Sequence, residues 1–261
     1  MLPDPSLAAQ GLAAALLLMT LVWLGSLATD DASLVDRFWG AGFVLLAWWY
    51  WAQRGGGAGP WFQLVFVLLI TLWGLRLSLH ITWRNWGHGE DPRYAAMRQA
   101  GGPGWRWRSL VTVFGLQALL LWVIATPLLV ALTSSQSPQM PLVVVGVACW
   151  LVGFAFEAGG DWQLARFRAN PANRGQVLNT GFWRYTRHPN YFGDAMCWWG
   201  FYCFAAAVGG WWTIFGPVLM TVLLMKVSGV ALLEKSLVQA KPAYREYIRR
   251  TNAFIPGPRR P

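Results

Sequence analysis

Seven apolar runs dominate this sequence and constrain its fold more than any other feature. They lie near residues 7–28, 38–53, 61–83, 109–132, 141–160, 192–208 and 211–233. A helix of about 20 apolar residues crosses the hydrocarbon core of a bilayer, although the second and sixth runs are short for this. The sequence therefore predicts an all-α integral membrane protein, a single membrane domain over 1–261 with about seven transmembrane helices.

The distribution of charge predicts which ends of the helices face the cytosol. The chain has 21 Lys and Arg against 11 Asp and Glu, and only 12% of its residues are charged. The basic residues concentrate in the links 84–108 and 162–190 and in the C-terminal tail, so the positive-inside rule predicts an external N-terminus and a cytosolic C-terminus. Nucleic-acid binding needs a basic face on a soluble module, so we expect the lipid bilayer, and no nucleic acid, as the partner.

Four acidic residues are predicted to gather near the cytosolic ends of three helices. Glu157 and Asp161 are four positions apart on the fifth helix, Asp194 opens the sixth, and Glu234 closes the seventh. Ionisable groups in or beside spanning helices are costly to desolvate and usually mark a functional interior. The alternative is an interfacial belt in which the acids only pair with neighbouring arginines and Lys235.

The segment 178–200, LNTGFWRYTRHPNYFGDAMCWWG, is dense in side chains that bind polar ligands. Arginines pair with phosphates, whereas histidine, asparagine and tyrosine offer hydrogen bonds or stacking rings. The first turn of a helix also presents free N–H groups to anions, so a phosphorylated or adenine-bearing cofactor is expected. The residues concerned are Arg184, Tyr185, Arg187, His188, Asn190 and Tyr191.

Three parts of the sequence resemble the C-terminal domain of the steroid 5α-reductase family of membrane enzymes. They are RHPNYFGD at 187–194, YREYIRRTNAFIP at 244–256, and the set Glu157, Asp161, Gln163 and Arg168. Looser relatives are the sterol C14 reductases and the isoprenylcysteine carboxyl methyltransferases. The front half, with DRFWGAGF at 36–43, looks like a bacterial branch grouped with that family. We therefore expect a bacterial inner-membrane protein, also because residues 1–10 lack the basic start of a signal peptide.

The resemblance implies an NADPH-dependent enzyme that reduces a carbon–carbon double bond conjugated to a carbonyl in a lipophilic substrate. It implies that 141–261 binds NADPH from the cytosolic side and that the helices of 1–132 face the substrate. The sequence has no GxGxxG after a predicted strand, and no metal-ligand spacing of Cys and His. The expected cofactor contacts, from the resemblance or from their charge, are Arg84, Arg93, Glu157, Asp161, Arg168, Tyr185, Arg187, His188, Asn190, Tyr191, Asp194, Tyr244 and Tyr247.

Reduction of an enone also needs a group that binds the carbonyl oxygen and a proton donor. In the steroid enzymes a glutamate and a tyrosine bind the carbonyl, but the second helix here lacks the Gln-Glu pair. The nearest catalytic candidates are Asp36, at the start of that helix, and His80 on the third helix. The alternatives are a helix N-cap for Asp36 and a structural role for His80.

Two other functions compete with the reductase. Membrane methyltransferases that use S-adenosylmethionine share an RHPxYxG-like element, but a sulfonium needs fewer cations than the phosphates of NADPH. The arginines near the site, including Arg166, Arg174 and Arg184, therefore favour NADPH. A lipid-binding protein or transporter predicts midplane charges or a broken-helix repeat, which the sequence lacks. The identity of the substrate and the oligomeric state stay open.

Overall fold

A computed structural model describes residues 4–53, 60–227, 234 and 243–260. Within these ranges the chain forms helices and no β-strand, which confirms the all-α fold class. Four helices of the described ranges are long and apolar enough to cross a membrane, Pro5–Thr29, Trp61–Asn85, Pro92–Ile124 and Met140–Ala169. These helices support a membrane protein, whereas the count of seven spans and the orientation of the termini stay predictions.

The chain divides into two compact units. The first comprises Met1–Gln139 and Phe204–Thr213, and the second comprises Met140–Cys203 and Ile214–Pro261. The helices that begin in the first unit are α1 (Pro5–Thr29), α2 (Leu34–Arg37), α3 (Trp39–Ala52), α4 (Pro60–Asn85), α5 (Pro92–Gly101), α6 (Trp105–Ser109), α7 (Leu116–Ile124) and α8 (Thr126–Thr133). Those that begin in the second are α9 (Met140–Ala169), α10 (Pro189–Ala207), α11 (Phe215–Val222) and α12 (Tyr244–Arg250).

Helices α3 and α4 of the first unit cross with their backbones nearly in contact. A Cβ atom added to Gly40 would lie only 2.3 Å from the carbonyl oxygen of Gly74. Beside this crossing, the buried rings of Phe43 and Trp73 lie 5.8 Å apart. Small residues at the crossing let two apolar helices approach closely, which is how membrane helices gain packing energy without a hydrophobic drive between them.

Two polar links of the first unit, 30–37 and 90–98, lie together. Arg98 donates to the Glu90 carboxylate (2.9 Å) and to the Asp30 carbonyl oxygen (2.6 Å), and the Ala32 N–H donates to Glu90 (2.8 Å). Because α1 ends at Thr29, this end of α1 lies at the level of the link that follows α4.

The predicted run 109–132 is helical but irregular. Helix α6 continues into a π-helical segment, Leu110–Gly115, before α7 begins. Pro127 has no N–H and a fixed φ, so a regular helix cannot pass this position and α8 begins beside it at Thr126.

Glycines line the contact between α9 and α10 in the second unit. A Cβ atom on Gly193 would lie 2.3 Å from the backbone nitrogen of Glu157, and one on Gly153 would lie 2.6 Å from the Gly193 carbonyl oxygen. The two helices therefore touch backbone to backbone. This glycine seam brings Glu157 and Asp161 of α9 beside the first turns of α10.

Two predicted helix boundaries are wrong. The predicted fifth run ends at 160, with the next residues in a link, but α9 continues to Ala169 because its last turns are polar without being helix breakers. Asp194 does not open the sixth helix. Helix α10 begins at Pro189, whose fixed φ suits the first position of a helix, so Asp194 lies in the second turn.

Candidate functional site

Hydrogen bonds around Thr186 fix the entrance of α10. The His188 N–H donates to Thr186 Oγ1 (3.2 Å), and the Thr186 hydroxyl donates to the Phe254 carbonyl oxygen (2.8 Å). The residue before a proline favours an extended backbone, so His188 marks the point where the chain turns into α10 at Pro189. The sequence RHP is thereby attached to the C-terminal segment.

Arg187 is buried, and protein groups accept its hydrogen bonds. Its Nε donates to Glu234 Oε1 (2.7 Å), and its Nη1 donates to the carbonyl oxygens of Ile248 (3.2 Å) and Thr251. Its backbone N–H donates to the Asn252 carbonyl oxygen (2.9 Å). Arg187, a predicted phosphate contact, therefore ties the entrance of α10 to α12 and the chain that follows it.

Glu234 joins Arg187 and His188. Its Oε1 lies 3.1 Å from His188 Nε2 and also accepts from Arg187. Burial alone would raise the pKa of Glu234, but the hydrogen bonds from His188 and Arg187 lower that pKa to about 2. The His188 ring also stacks parallel to Tyr191, with ring centres 5.6 Å apart. Glu234 thus pairs with an arginine, as the belt alternative predicts.

Two tyrosines of α12 complete this cluster. The Tyr247 hydroxyl donates to the carbonyl oxygen of Trp183, and the rings of Tyr244 and Tyr247 meet edge to face, 5.6 Å apart. Burial raises the pKa of Tyr244 to about 12, so its hydroxyl stays protonated at neutral pH. The indole N–H of Trp183 donates to the Gly160 carbonyl oxygen (3.0 Å), which fastens the cluster to α9.

A cavity of about 380 Å³ opens beside these residues in the second unit. Its wall comes from the end of α9, the following loop, the entrance of α10 and α12. Its polar, charged and aromatic lining comprises Phe167, Arg168, Asn170, Asn173, Arg174, Gln176, Trp183, Arg187, His188, Tyr244 and Tyr247. Arg168 and Arg174 are exposed, whereas Arg187 and His188 are buried. The cavity thus joins cationic groups, which can pair with anions, to aromatic rings, which can stack on planar groups.

The predicted acidic residues lie in the glycine seam. Glu157, Asp161 and Asp194 are 2%, 6% and 8% exposed, and the Asn190 amide donates to Asp161 Oδ1 (3.1 Å). Tyr185 is exposed, and its carbonyl oxygen accepts from the Gly257 N–H (3.0 Å). The structure therefore brings Arg168, Arg187, His188, Tyr244 and Tyr247 to one cavity wall, and pairs Asp161 with Asn190 in the seam.

Asp36, a predicted catalytic residue, lies in a polar cluster of the first unit. It accepts from the Tyr94 hydroxyl (2.7 Å) and from Arg93 Nη2 (3.0 Å), and Arg93 also pairs with Asp91 (2.9 Å). Burial raises the pKa of Asp36 against the opposing effect of Arg93. The N-cap interpretation is wrong, because Asp36 belongs to α2 and the N-cap of α3 is Phe38.

The other predicted residues of the first unit lie along α4. The His80 ring lies 6.0 Å from that of Trp83, one turn further along the helix. Arg84 is exposed and donates to the side chain of Asn85 (3.1 Å). Arg84 and Arg93 belong to the first unit, whereas all residues of the cavity wall described above belong to the second.

A model of the family described as "Protein of unknown function (DUF1295)" matches residues 22–251. The chain belongs to this family. DUF1295 has a steroid-reductase-like relationship, which confirms the resemblance at the level of the family. The uncharacterised protein C594.04c of the fission yeast Schizosaccharomyces pombe is 25% identical over an alignment of 278 positions, and this alignment covers 94% of this chain and 78% of the yeast protein.

Sequence reasoning missed Tyr94 and the loop after α9, and it predicted Glu234 as one of four acids near the cytosolic helix ends but not its contact with His188. Tyr94 has no marker in the sequence, because its partner Asp36 is 58 positions away. The loop after α9 did carry a sequence signal for turns, since Asn170 and Asn173 flank a proline. In the structure the Asn173 amide donates to the Phe167 carbonyl oxygen (2.9 Å), and the Asn170 side chain accepts from the Ala172 N–H (3.0 Å). Such asparagine turns shape loops.

Proposed function

We propose that this protein is an NADPH-dependent membrane reductase of a carbon–carbon double bond conjugated to a carbonyl in a lipophilic substrate. The observation that carries the proposal is the cavity of about 380 Å³, whose wall combines arginines with aromatic rings. Membership of a steroid-reductase-like family supports it. The apolar helices of the chain support access of a lipophilic substrate from the bilayer.

The cavity wall fits a phosphorylated dinucleotide. Arg168 and Arg174 are exposed on that wall, where a guanidinium can pair with phosphate oxygens. Trp183 and Tyr244 offer rings for stacking, and a volume of about 380 Å³ lies in the range of about 300–1,000 Å³ of ligand sites. NADPH bound there supplies the hydride. Arg187 has a positioning role, since it holds α12 against the entrance of α10.

The Asp161–Asn190 pair does not line this cavity, and it is the proposed recognition element for the sugar or carboxamide of a cofactor that extends beyond the cavity along α10. The Asp161 carboxylate orients the Asn190 amide through a hydrogen bond of 3.1 Å. An oriented amide has a carbonyl oxygen that can accept from a hydroxyl or a carboxamide. The burial of Asp161 keeps this orientation fixed, because water does not compete for the carboxylate.

Tyr94 and Asp36 are the proposed carbonyl-binding pair. The Tyr94 hydroxyl carries a single proton, which it donates to Asp36 Oδ1 (2.7 Å) in this structure. A substrate carbonyl oxygen that replaces Asp36 as the acceptor of this hydrogen bond would be stabilised as negative charge develops on it, when hydride adds to the β-carbon. His80 is the alternative to Tyr94 as the group that donates to this carbonyl oxygen.

Calorimetry on detergent-solubilised protein tests the cofactor. We expect NADPH to bind more tightly than NADH, and Arg174→Ala to weaken NADPH binding about tenfold, the effect of losing one charged hydrogen bond. Arg166→Ala is the matched control, because Arg166 lies over the Trp162 ring (5.5 Å) and not on the cavity wall. Tight binding of S-adenosylmethionine without NADPH binding would establish the methyltransferase instead. Equal effects of the two variants would show that NADPH responds to the overall positive charge of the protein and not to a site on the cavity wall.

Enone reduction tests the carbonyl-binding pair. With NADPH oxidation followed across a panel of lipophilic enones, Tyr94→Phe should slow turnover at least tenfold while NADPH affinity is unchanged. If Tyr94 donates to the carbonyl oxygen of the substrate, His80→Gln should leave turnover intact. The opposite pattern assigns the donor role to His80 and refutes the pair.

A further inference from the structure

Five arginines in the links of the first unit, Arg37, Arg93, Arg98, Arg106 and Arg108, fall into two sets. Arg37, Arg93 and Arg98 each bond a carboxylate within 3.0 Å. Arg106 and Arg108, in the sequence WRWRS, are exposed, and none of the ion pairs formed among the described residues includes them. The described contact of the Arg108 guanidinium is the Gly101 carbonyl oxygen, 3.4 Å away. These two cations therefore lack a carboxylate within the described chain.

A hydrogen bond from Trp23 shows the position of this arginine pair along the axis of α1. The indole N–H of Trp23 donates to the Arg106 carbonyl oxygen (3.0 Å). Trp23 lies six residues before Thr29, the last residue of α1, a distance of about 9 Å along the helix axis. The ion pair of Asp30 and Arg98 follows that end of α1. The backbone of Arg106 therefore lies nearly two helical turns closer to the centre of the bilayer than the links that carry these ion pairs.

The surface at this level has the composition of a membrane interface. Trp107 stands between the two arginines and is 72% exposed, and its ring lies 5.4 Å from that of the buried Trp23. Val111, the next exposed residue one turn on, begins the apolar surface. Tryptophan is enriched where the acyl chains meet the headgroups, and arginine at such a level extends its guanidinium towards the phosphates.

We propose that Arg106 and Arg108, with Trp107 between them, bind the headgroup phosphate of an anionic phospholipid in the surrounding leaflet. A guanidinium pairs with phosphate through two parallel hydrogen bonds. An anionic headgroup supplies the missing counter-charge, whereas a choline headgroup brings an ammonium that the two arginines repel. This site lies on the lipid-facing surface of the first unit, and it does not depend on the proposed reductase activity.

Native mass spectrometry of the full-length protein in detergent tests this proposal. Phosphatidylglycerol and phosphatidylcholine with the same acyl chains are titrated separately. Each arginine near a lipid phosphate contributes about fivefold, so the wild type should bind phosphatidylglycerol about 30-fold more tightly than phosphatidylcholine. This preference should shrink as salt is added. Equal affinities for the two lipids would overturn the proposal without any variant.

Variants assign the preference to this arginine pair. Arg106→Gln with Arg108→Gln should abolish it, and Arg106→Lys with Arg108→Lys should retain most of it. Arg249→Gln with Arg250→Gln removes the same charge from two exposed arginines that pair with Glu246, and should retain the preference in full. An equal loss in the Arg249/Arg250 control refutes the assignment. Displacement of phosphatidylglycerol by millimolar inorganic phosphate would show that the site binds free anions, and it would refute the proposal that a phospholipid is the ligand.

Discussion

Removing the charge of Glu234 should release the C-terminal segment from the entrance of α10. Glu234 accepts hydrogen bonds from Arg187 (2.7 Å) and His188 (3.1 Å), whose side chains are 8% and 2% exposed. Arg187 in turn holds the carbonyl oxygens of Ile248 and Thr251. Glu234→Gln keeps the shape of the side chain but leaves a buried guanidinium without its counter-charge, which is the costly way to break an ion pair.

The pKa of Glu234 sets the size of the effect. A pKa held at about 2 instead of 4.5 corresponds to about 3 kcal/mol in favour of the charged carboxylate. Because 19% of the side chain is exposed, solvent screening reduces this to about 2 kcal/mol. The folded-state pKa is depressed, so the stabilisation is present above about pH 4.5 and is lost as the pH falls towards 2.

Hydrogen exchange followed by mass spectrometry measures this release directly. A local loss of about 2 kcal/mol should speed exchange about 30-fold at amides such as Thr251 and Gly257, which donate to Tyr247 and Tyr185. Peptides from α1 should be unaffected. The wild type should approach the variant on acidification below pH 4.5, once intrinsic exchange rates are divided out.

Glu246→Gln is the matched control, since Glu246 pairs with two exposed arginines on α12 and its own side chain is 44% exposed. It should leave exchange unchanged, because exposed ion pairs contribute little. Unchanged exchange in Glu234→Gln, or equal acceleration in the two variants, would show that Arg187 does not hold the C-terminal segment through Glu234.

Three further predictions concern the seam and the topology. Asp161→Asn should weaken NADPH binding about tenfold, as measured by calorimetry, whereas Asp4→Asn in the N-cap of α1 should have no such effect. Gly193→Ala should abolish monodisperse expression, because its Cβ would lie 2.3 Å from backbone, whereas Gly25→Ala, with its nearest neighbour 3.9 Å away, should express normally. In a cysteine-free background, single cysteines at His88 and Ala172 should be labelled only from the cytosol, and one at Ser137 only from outside.

The helices of this fold were predictable because their signal is local. The apolar run 7–28 corresponds to Pro5–Thr29, and 61–83 corresponds to Pro60–Asn85. Hydropathy misses polar turns at helix ends, which is why α9 extends nine residues beyond the predicted 160 and α10 starts three residues before the predicted 192. The shared face of Glu157 and Asp161 on α9 also followed from local spacing, since positions four apart lie on the same side of a helix, and both residues are buried.

The partners of the charged residues were not predictable in the same way. An arginine next to a histidine in RHPNY suits a phosphate as well as a carboxylate, and the choice depends on Glu234 and on carbonyl groups more than 45 positions away. The pairing of Asp36 with Tyr94 likewise depends on how the two links 30–37 and 90–98 meet. The sequence pattern indicates which residues can bind anions, whereas the tertiary contacts determine which of these residues bind protein groups instead.

The glycine seam and the buried acids together argue for a functional interior in the second unit. Backbone contact at Gly153 and Gly193 leaves no room for a side chain between α9 and α10, yet α9 places Glu157 and Asp161 at this contact. An apolar residue at either position would pack the seam without the desolvation cost of a carboxylate. The carboxylates are therefore best explained by the polar groups they orient, as Asp161 does for Asn190 at the entrance of α10.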